Sequence, residues 1–392
     1  MLNQKRRQKV LALCRKLIGI PSVTGDEKVI ASFVSEEMLA LGFDQVWIDQ
    51  VGNVVGKIKG TGEGPRVLFD GHLDTVEVSD PSAWTRSPFG AEIVDNCIFG
   101  RGAADMKGAL AAMISGIAFL AEDERPKGDI YVSGTILEEI AEGFSLSYIL
   151  GDLRPDVVVI GEATELNINI GQRGRAEIVL ETKGIPVHSS NSKAGINAVE
   201  SMLSLLGGIK QISLPQHAIL GSAALELTDI ISSPYPGASV IPEKCRVTFD
   251  RRLMVDEVKE HVLEDIRRII NKETETNNKI SATVDVASLQ IKSYTGLEVE
   301  HSKFAPAWLL SEDHEIVNRA KMALKSMGMN PKINVYSFCT NGSVSAGIYN
   351  IPTIGFGPCK ESQAHIIDEF IQIDHLIQAT EGYYQLGKYL SA

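Results

Sequence analysis

Apolar positions in the first eighteen residues fall at helical spacing. Val10, Leu11, Cys14, Leu17 and Ile18 share one face, which predicts a helix over residues 4–18. Thr24-Gly-Asp-Glu27 has the form of a capping box, in which a hydroxyl and a carboxylate satisfy the free N–H groups of a first turn, so a second helix is expected from there through Met38 to Leu41. QVWIDQ, VVGKIKG and RVLFDG then read as strands. KGALAAMISGIAFLAED is a helix apolar on most sides, as expected of one packed on a sheet. DIYVSGTILEE is a strand ending in carboxylates, FSLSYILGD is helical, and DVVVIGEA is a buried strand ending in a further carboxylate. Buried strands alternating with helices predict an α/β sandwich with a mostly parallel sheet.

From about Gly171 the pattern changes. GRAEIVLETKG alternates apolar and polar residues, as does a strand with one wet face. A helix (NAVESMLSLLGGIKQI), two strands (ALELTDII and KCRVTFDRRL), a charged helix (DEVKEHVLEDIRRIINKE) and a strand (KISATVDVAS) follow. That order, β-α-β-β-α-β, is the ferredoxin-like α+β unit. The α/β pattern then resumes with the helix EIVNRAKMALKSMG and the strand PTIGFGP. The expected organisation is an α/β domain in two parts, residues 1–171 and 301–392, interrupted by an α+β domain over residues 172–300.

Composition narrows the classes of function. The chain has 392 residues, is 44% hydrophobic and 22% charged, and carries a net charge of -12, which fits a globular enzyme and disfavours nucleic acid as a partner. The basic run KRRQK is expected on the wet face of the first helix. Five cysteines, scattered and without a CxxC pair, suit reduced thiols. The N-terminal segment is broken by Arg15 and Lys16 and lacks the form of an export signal, and the longest apolar run, Ala109 to Ala121, is too short to span a bilayer. A cytoplasmic protein with no membrane partner is expected.

The chemistry gathers at strand ends. His72 and Asp74, Glu138 and Glu139, Glu162, and His365 each follow a predicted strand, and Asp105 sits in the glycine-rich turn GRGAAD. In open α/β sheets ligands bind beyond the carboxyl ends of the strands. Carboxylates gathered there repel one another unless cations neutralise them or some stay protonated. Two divalent ions are the simplest remedy. His and carboxylate donors together suit zinc, with cobalt and manganese as alternatives. A two-metal hydrolytic site needs one bridging carboxylate and a water between the ions. Asp105 is expected to bridge, His72 with Glu162 to hold one ion, and Glu139 with His365 the other. Asp74 is expected to accept the second N–H of the His72 ring. Glu138 is expected to be the general base, taking the proton of the water between the ions and returning it to the leaving nitrogen. Each feature alone is ordinary in a loop or on a surface; their concurrence at strand ends carries the reading.

GHLDTV, GRGAADMKG, EEIAEG, GEAT and AHIIDE, in this order, resemble the co-catalytic zinc metallopeptidase and deacylase family of succinyl-diaminopimelate desuccinylase, acetylornithine deacetylase, aminoacylase and glutamate carboxypeptidase. RVLFDGHLDTV, GQRGRAEI, SFCTNGS and GFGPCKESQAH are most similar to a bacterial subgroup labelled selenium-metabolism hydrolases. The resemblance implies His72, Asp105, Glu139, Glu162 and His365 as metal ligands, Asp74 as the carboxylate behind them, Glu138 as the base, and a cis peptide between Asp105 and Met106. It implies that the small domain pairs two subunits and acts as a lid. His188 then reaches the neighbouring subunit's site to stabilise an oxyanion, and Arg252 grips a substrate carboxylate; Arg251, on the opposite face, is expected to be the solvated arginine. Related enzymes often have Asn where Ser239 stands, and Asp where Asn341 stands. Ser239, Thr340, Asn341 and Gly342 are expected to offer hydrogen bonds to the substrate.

The expectation is therefore a homodimeric two-metal hydrolase acting on a small molecule, an N-acyl amino acid or short peptide with a free carboxylate. The rival readings are an aminopeptidase or dipeptidase acting on a free amine, and a metal-free binding relative.

Overall fold

The structure, a computed structural model, describes residues 2–392. The chain forms two compact units. The larger holds the chain up to Gln172 together with Gln290–Val299 and Trp308–Ala392; the smaller holds Arg173–Leu289 and Glu300–Ala307. Where one boundary is expected at residue 300, the chain passes between the units three times, after Leu289, Val299 and Ala307. The reason is local: the turn between the paired strands Ser288–Lys292 and Glu298–Ser302 is fastened to the larger unit, where the Tyr294 hydroxyl donates to Gly52 O at 2.8 Å and that of Thr295 to Gln50 O at 2.9 Å.

The larger unit is built on one mixed sheet. Its strands run in the order Gln45–Ile48, Val54–Ile58, Ile130–Thr135, Val67–His72, Val157–Ile160, Thr353–Gly355, Ile168–Gln172 and Trp308–Leu309, and Ile333–Tyr336 also pairs with Ile168–Gln172. The four strands Ile130–Thr135, Val67–His72, Val157–Ile160 and Thr353–Gly355 are mutually parallel. They are buried throughout, as the continuous apolar runs predict. On one face lies helix Lys107–Asp123, buried without a break from Lys107 to Leu120 and packed on helices Gln4–Ile18 and Ile373–Leu390. Each fully buried Leu, Ile or Phe there contributes about 1.5–3 kcal/mol. On the other face Leu146, Ile149 and Leu150 of helix Phe144–Leu153 pack against Leu68, Val158 and Ile160.

Two local expectations change. The first helix is Gln4–Ile18, but Leu13 rather than Leu11 completes its buried face. The second runs Lys28–Ala40, and the Thr24–Glu27 pattern does not cap it. The Thr24 hydroxyl instead donates to Asp74 Oδ2 at 2.9 Å, and Glu27 Oε1 accepts from Gly25 N at 2.8 Å.

The smaller unit has the ferredoxin-like order. Strands Ala224–Ser233, Lys244–Leu253, Gly174–Lys183 and Ser281–Val286 lie side by side, antiparallel throughout. Helices Ala198–Ile209 and Lys259–Thr276 cover the face bearing Ala176, Ile178, Leu180, Val247 and Phe249. Strand period places Arg251 on that covered face with Val247, Phe249 and Leu253, so the expectation of a solvated Arg251 is corrected. It is buried, and its guanidinium meets Glu257 Oε1 at 2.5 Å.

Helix Lys107–Asp123 meets the C-terminal helix at Gly116, where an added Cβ would lie 2.5 Å from Thr380 O. Gly116→Ala is expected to lower stability by about 1–3 kcal/mol through overpacking, read as a lower thermal melting temperature.

Candidate metal centre

The parallel strands end together, and their ends carry the predicted side chains to one place. His72 is the last residue of Val67–His72 and pairs in register with Thr135, the last of Ile130–Thr135. Glu138 and Glu139 follow Thr135 in a short 3-10 turn, Glu162 follows Val157–Ile160, and His365 follows Thr353–Gly355 after a loop. Asp105 precedes helix Lys107–Asp123, and its peptide bond to Met106 is cis.

All five candidate ligands converge. His72 Nε2 lies 2.9 Å from Asp105 Oδ1 and 3.5 Å from Glu162 Oε1. His365 Nε2 lies 3.1 Å from Asp105 Oδ2 and 3.1 Å from Glu139 Oε2. Asp105 thus turns one oxygen to each histidine, the disposition a bridging carboxylate requires. Among the described residues two donor sets lie within 4.8 Å: His72 with Asp105 and Glu139, and His72 with Glu138 and Glu162. Nitrogen and carboxylate donors in this ratio fit zinc, cobalt or manganese. Glu138 is buried, and among the described residues its Oε1 has no hydrogen-bond partner. A buried orphan oxygen beside such donors fits a group that works on an exogenous cation or water.

The electrostatics show the strain of the cluster. Burial pushes Glu138 well above the ordinary carboxyl range, with Glu162 and Glu139 adding to it against the pull of His72. Burial and the nearby Asp105 push Glu162 up to about 7. Burial acts on Asp105 too, but its bonds to His365 and His72 win and hold it below the usual range. His365 is pushed up to about 10 by Asp105 and Glu139. Burial opposes a charged His72, yet its bonds to Asp105 and Glu162 raise it well above the ordinary imidazole value. Taken by themselves, these side chains stay together by sharing protons.

Three further placements revise the expectations. The His72 Nδ1 partner is the main-chain oxygen of Asp74 at 2.9 Å, while the Asp74 carboxylate is 3.6 Å away. That carboxylate is taken up by the N–H groups of Glu138 at 3.1 Å and Glu139 at 3.2 Å, which compete for its oxygens. The Thr340 hydroxyl, the Asn341 side chain and Gly342 N are hydrogen-bonded inside the protein. The Thr340 hydroxyl donates to Gln172 Oε1 at 2.6 Å and accepts from Gly342 N at 3.0 Å. The Asn341 amide donates to Asp70 at 2.8 Å and Thr135 at 3.1 Å and accepts from Gly143 N at 2.7 Å. Those groups bind the sheet to its neighbouring loops, so the donors expected for substrate are engaged.

His188, Ser239 and Arg252 belong to the smaller unit. His188 is exposed and bonds Ser190 Oγ at 2.7 Å, and Ser239 O accepts from Ser189 N at 2.8 Å. Arg252 Nε lies 2.7 Å from Asp250 Oδ1. Sequence reasoning missed Glu369, a fully buried carboxylate that accepts from Asp105 N at 3.0 Å and Ala104 N at 2.8 Å and pairs with Arg101 at 2.5 Å. Its only signal was its position four residues after His365. Lys107, also fully buried, was missed as well; it donates to Ile20 O at 2.7 Å.

Residues 68–388 match the model of Peptidase family M20/M25/M40. The chain belongs to that family. It is a metal-dependent hydrolase. It is 34% identical to the uncharacterized protein YgeY of Escherichia coli (strain K12), over 94% of this chain and 91% of that one. A succinyl-diaminopimelate desuccinylase of Cereibacter sphaeroides (strain ATCC 17029 / ATH 2.4.9) is 24% identical over 93% of this chain and 94% of its own. The fold is shared with aminopeptidase PepT of Bacillus cereus ATCC 10987 at a TM-score of 0.77 and 18% identity, covering 98% of this chain and 99% of that one. It is shared also with YXEP of Bacillus subtilis, described as a dinuclear metal binding peptidase, at a TM-score of 0.74 and 15% identity, covering 99% of each. Among the described residues no helix is long and apolar enough to cross a membrane.

Because Asp105 and Glu139 hold His365 protonated up to a pH of about 10, a metal ion must displace that proton at neutral pH. Zinc added to chelator-treated protein at pH 7 is therefore expected to release protons, and its apparent affinity to rise with pH through the neutral range. Calorimetry in buffers of different ionisation enthalpy measures the release; uptake without protons would contradict the geometry.

Proposed function

We propose that this M20 chain is a two-metal amidohydrolase that cleaves the amide bond of an N-acyl amino acid or small peptide bearing a free carboxylate. The observation that carries the reading is the pair of histidines set on opposite oxygens of Asp105, with Glu139, Glu162 and Glu138, whose Oε1 has no hydrogen-bond partner among the described residues, around them. His72 with Glu162 would hold one divalent ion, Glu139 with His365 the other, and Asp105 both. Zinc is the expected ion by ligand type. Ions held there supply Lewis acidity, polarising the amide carbonyl and making a water more acidic.

The chain's own residues do the rest. Glu138 accepts the proton of the attacking water and gives it to the leaving nitrogen. Its raised proton affinity suits the second step, and nearby cations would draw it down for the first. Arg252 is assigned the substrate carboxylate, which its planar fork fits, and His188 of one copy the developing oxyanion in the neighbouring copy's site. The smaller unit is assigned the role of lid and dimer contact. What supports the dimer contact is its unpaired edge strand Ala224–Ser233, where Ile230 is 50% and Ile231 55% exposed, with Tyr235 81% exposed just beyond. Apolar side chains on an open strand edge favour pairing with a second copy.

A desuccinylase relative and an aminopeptidase of the same fold mark the two substrate alternatives, an acylated and a free amine. Zinc-, cobalt- and manganese-loaded enzyme assayed on N-acyl amino acids and on dipeptides separates them; turnover of dipeptides alone would favour the free-amine alternative, and turnover of neither class would contradict the proposal. Glu138→Ala is expected to fold and bind metal but lose about a thousandfold in kcat. Ile230→Asp with Ile231→Asp is expected to give a monomer by light scattering where the parent chain is a dimer.

A further inference from the structure

The turn after strand Ile130–Thr135 carries both the candidate base and a candidate ligand, and it is unusual in how its N–H groups are satisfied. Ile136 N donates to Asn53 Oδ1 at 3.1 Å. Leu137 N donates to Glu27 Oε1 at 3.2 Å, Glu138 N to Asp74 Oδ1 at 3.1 Å, and Glu139 N to Asp74 Oδ2 at 3.2 Å. Successive donors therefore go to side chains from other parts of the chain, not to the backbone. Leu137 sits at a φ of 60°, in the left-handed region that a branched side chain rarely adopts, so the surroundings must enforce it.

Glu27 is the member of this arrangement that the reaction does not account for. It lies in the Thr24–Glu27 pattern that fails to cap its helix. It is fully buried; Oε1 takes both Gly25 N and Leu137 N, and among the described residues Oε2 has no partner. A core position filled only for packing would favour an apolar side chain, since an unpartnered buried carboxyl oxygen is costly. We propose that Glu27 is a positioning residue: together with Asp74 it clamps the 137–139 turn, and so fixes where Glu138 and Glu139 point. This rests on the reading of Glu138 as base and Glu139 as ligand. Burial and the adjacent Asp74 push the Glu27 carboxyl up to about 7.

Glutamine keeps the acceptor oxygen at nearly the same reach, alanine removes it, and aspartate keeps the acid but falls one carbon short. The test uses full-length protein, zinc-replete and chelator-treated, as Glu27→Gln, Glu27→Ala and Glu27→Asp. Amide exchange in a peptide covering residues 137–139 is expected to speed up about tenfold or more in the Ala and Asp variants and to stay near the parent rate in Gln. Zinc titration is expected to show one ion weakened by about tenfold to a hundredfold in the same two variants, with the other little changed. The Asp variant carries the test if Ala does not fold. Unchanged exchange in Ala or Asp, or a Gln variant as impaired as Ala, would overturn the clamp. If the parent protein binds no zinc, the metal assignment fails, while the exchange measurement still decides the role of Glu27.

Discussion

Repulsion between carboxylates sharing one end of a sheet is the constraint on which the rest of this structure turns. Two like charges about 4 Å apart repel by about 4 kcal/mol even where the effective dielectric constant is near 20. Asp105, Glu138, Glu139 and Glu162 all reach the same site. Only Asp105, flanked by both histidines, is drawn below the usual range; Glu138 and Glu162 are pushed up by burial and by their neighbours. The side chains are thus arranged so that positive charge must enter, as protons on the histidines and carboxyls or as divalent ions in their place.

The fold makes that crowding unavoidable. Parallel strands point their carboxyl ends the same way, so His72, Glu138, Glu162 and His365 emerge at one edge because their strands are neighbours in register. Helix Lys107–Asp123, buried along most of its length, delivers Asp105 from the side. Behind these residues a set of buried polar groups fixes the backbone. Glu369 holds the N–H groups of Ala104 and Asp105, Asp74 holds those of Glu138 and Glu139, and Asn341 ties Asp70 to Gly143. Such groups are costly to bury unless fully used, which is why they recur where backbone position must be definite.

Much of this was legible in the sequence. Helix Lys107–Asp123, the parallel strands and the β-α-β-β-α-β order of the smaller unit follow from apolar periodicity, because burial on one or both faces leaves a direct imprint on residue type. The strand-end placement of His72, Glu138, Glu139 and Glu162 follows from the same pattern. What failed were side-chain partnerships. Thr24 and Glu27 read as a cap but serve Asp74 and the 137–139 turn, and nothing local to residues 24–27 signals contacts that far along the chain. Asn341 and Thr340 are expected as substrate donors on the family resemblance, yet their hydrogen bonds close on Asp70 and Gln172. Arg251 is different: assigning Arg252 to substrate puts Arg251 on the other face of the strand, and strand period makes that the covered face it shares with Phe249 and Leu253. The C-terminal helix Ile373–Leu390 also carries a legible apolar stripe at Leu376, Ala379, Tyr383, Leu386 and Leu390.

On the function proposed above, a pair of cations resolves the repulsion among Asp105, Glu138, Glu139 and Glu162. X-ray absorption at the metal edge of zinc-loaded protein tests it most directly. Nitrogen and oxygen neighbours are expected at about 2.0–2.2 Å, with a second metal at about 3.5–4 Å. A spectrum with sulfur neighbours, or with no metal–metal distance at two bound ions per chain, would contradict it.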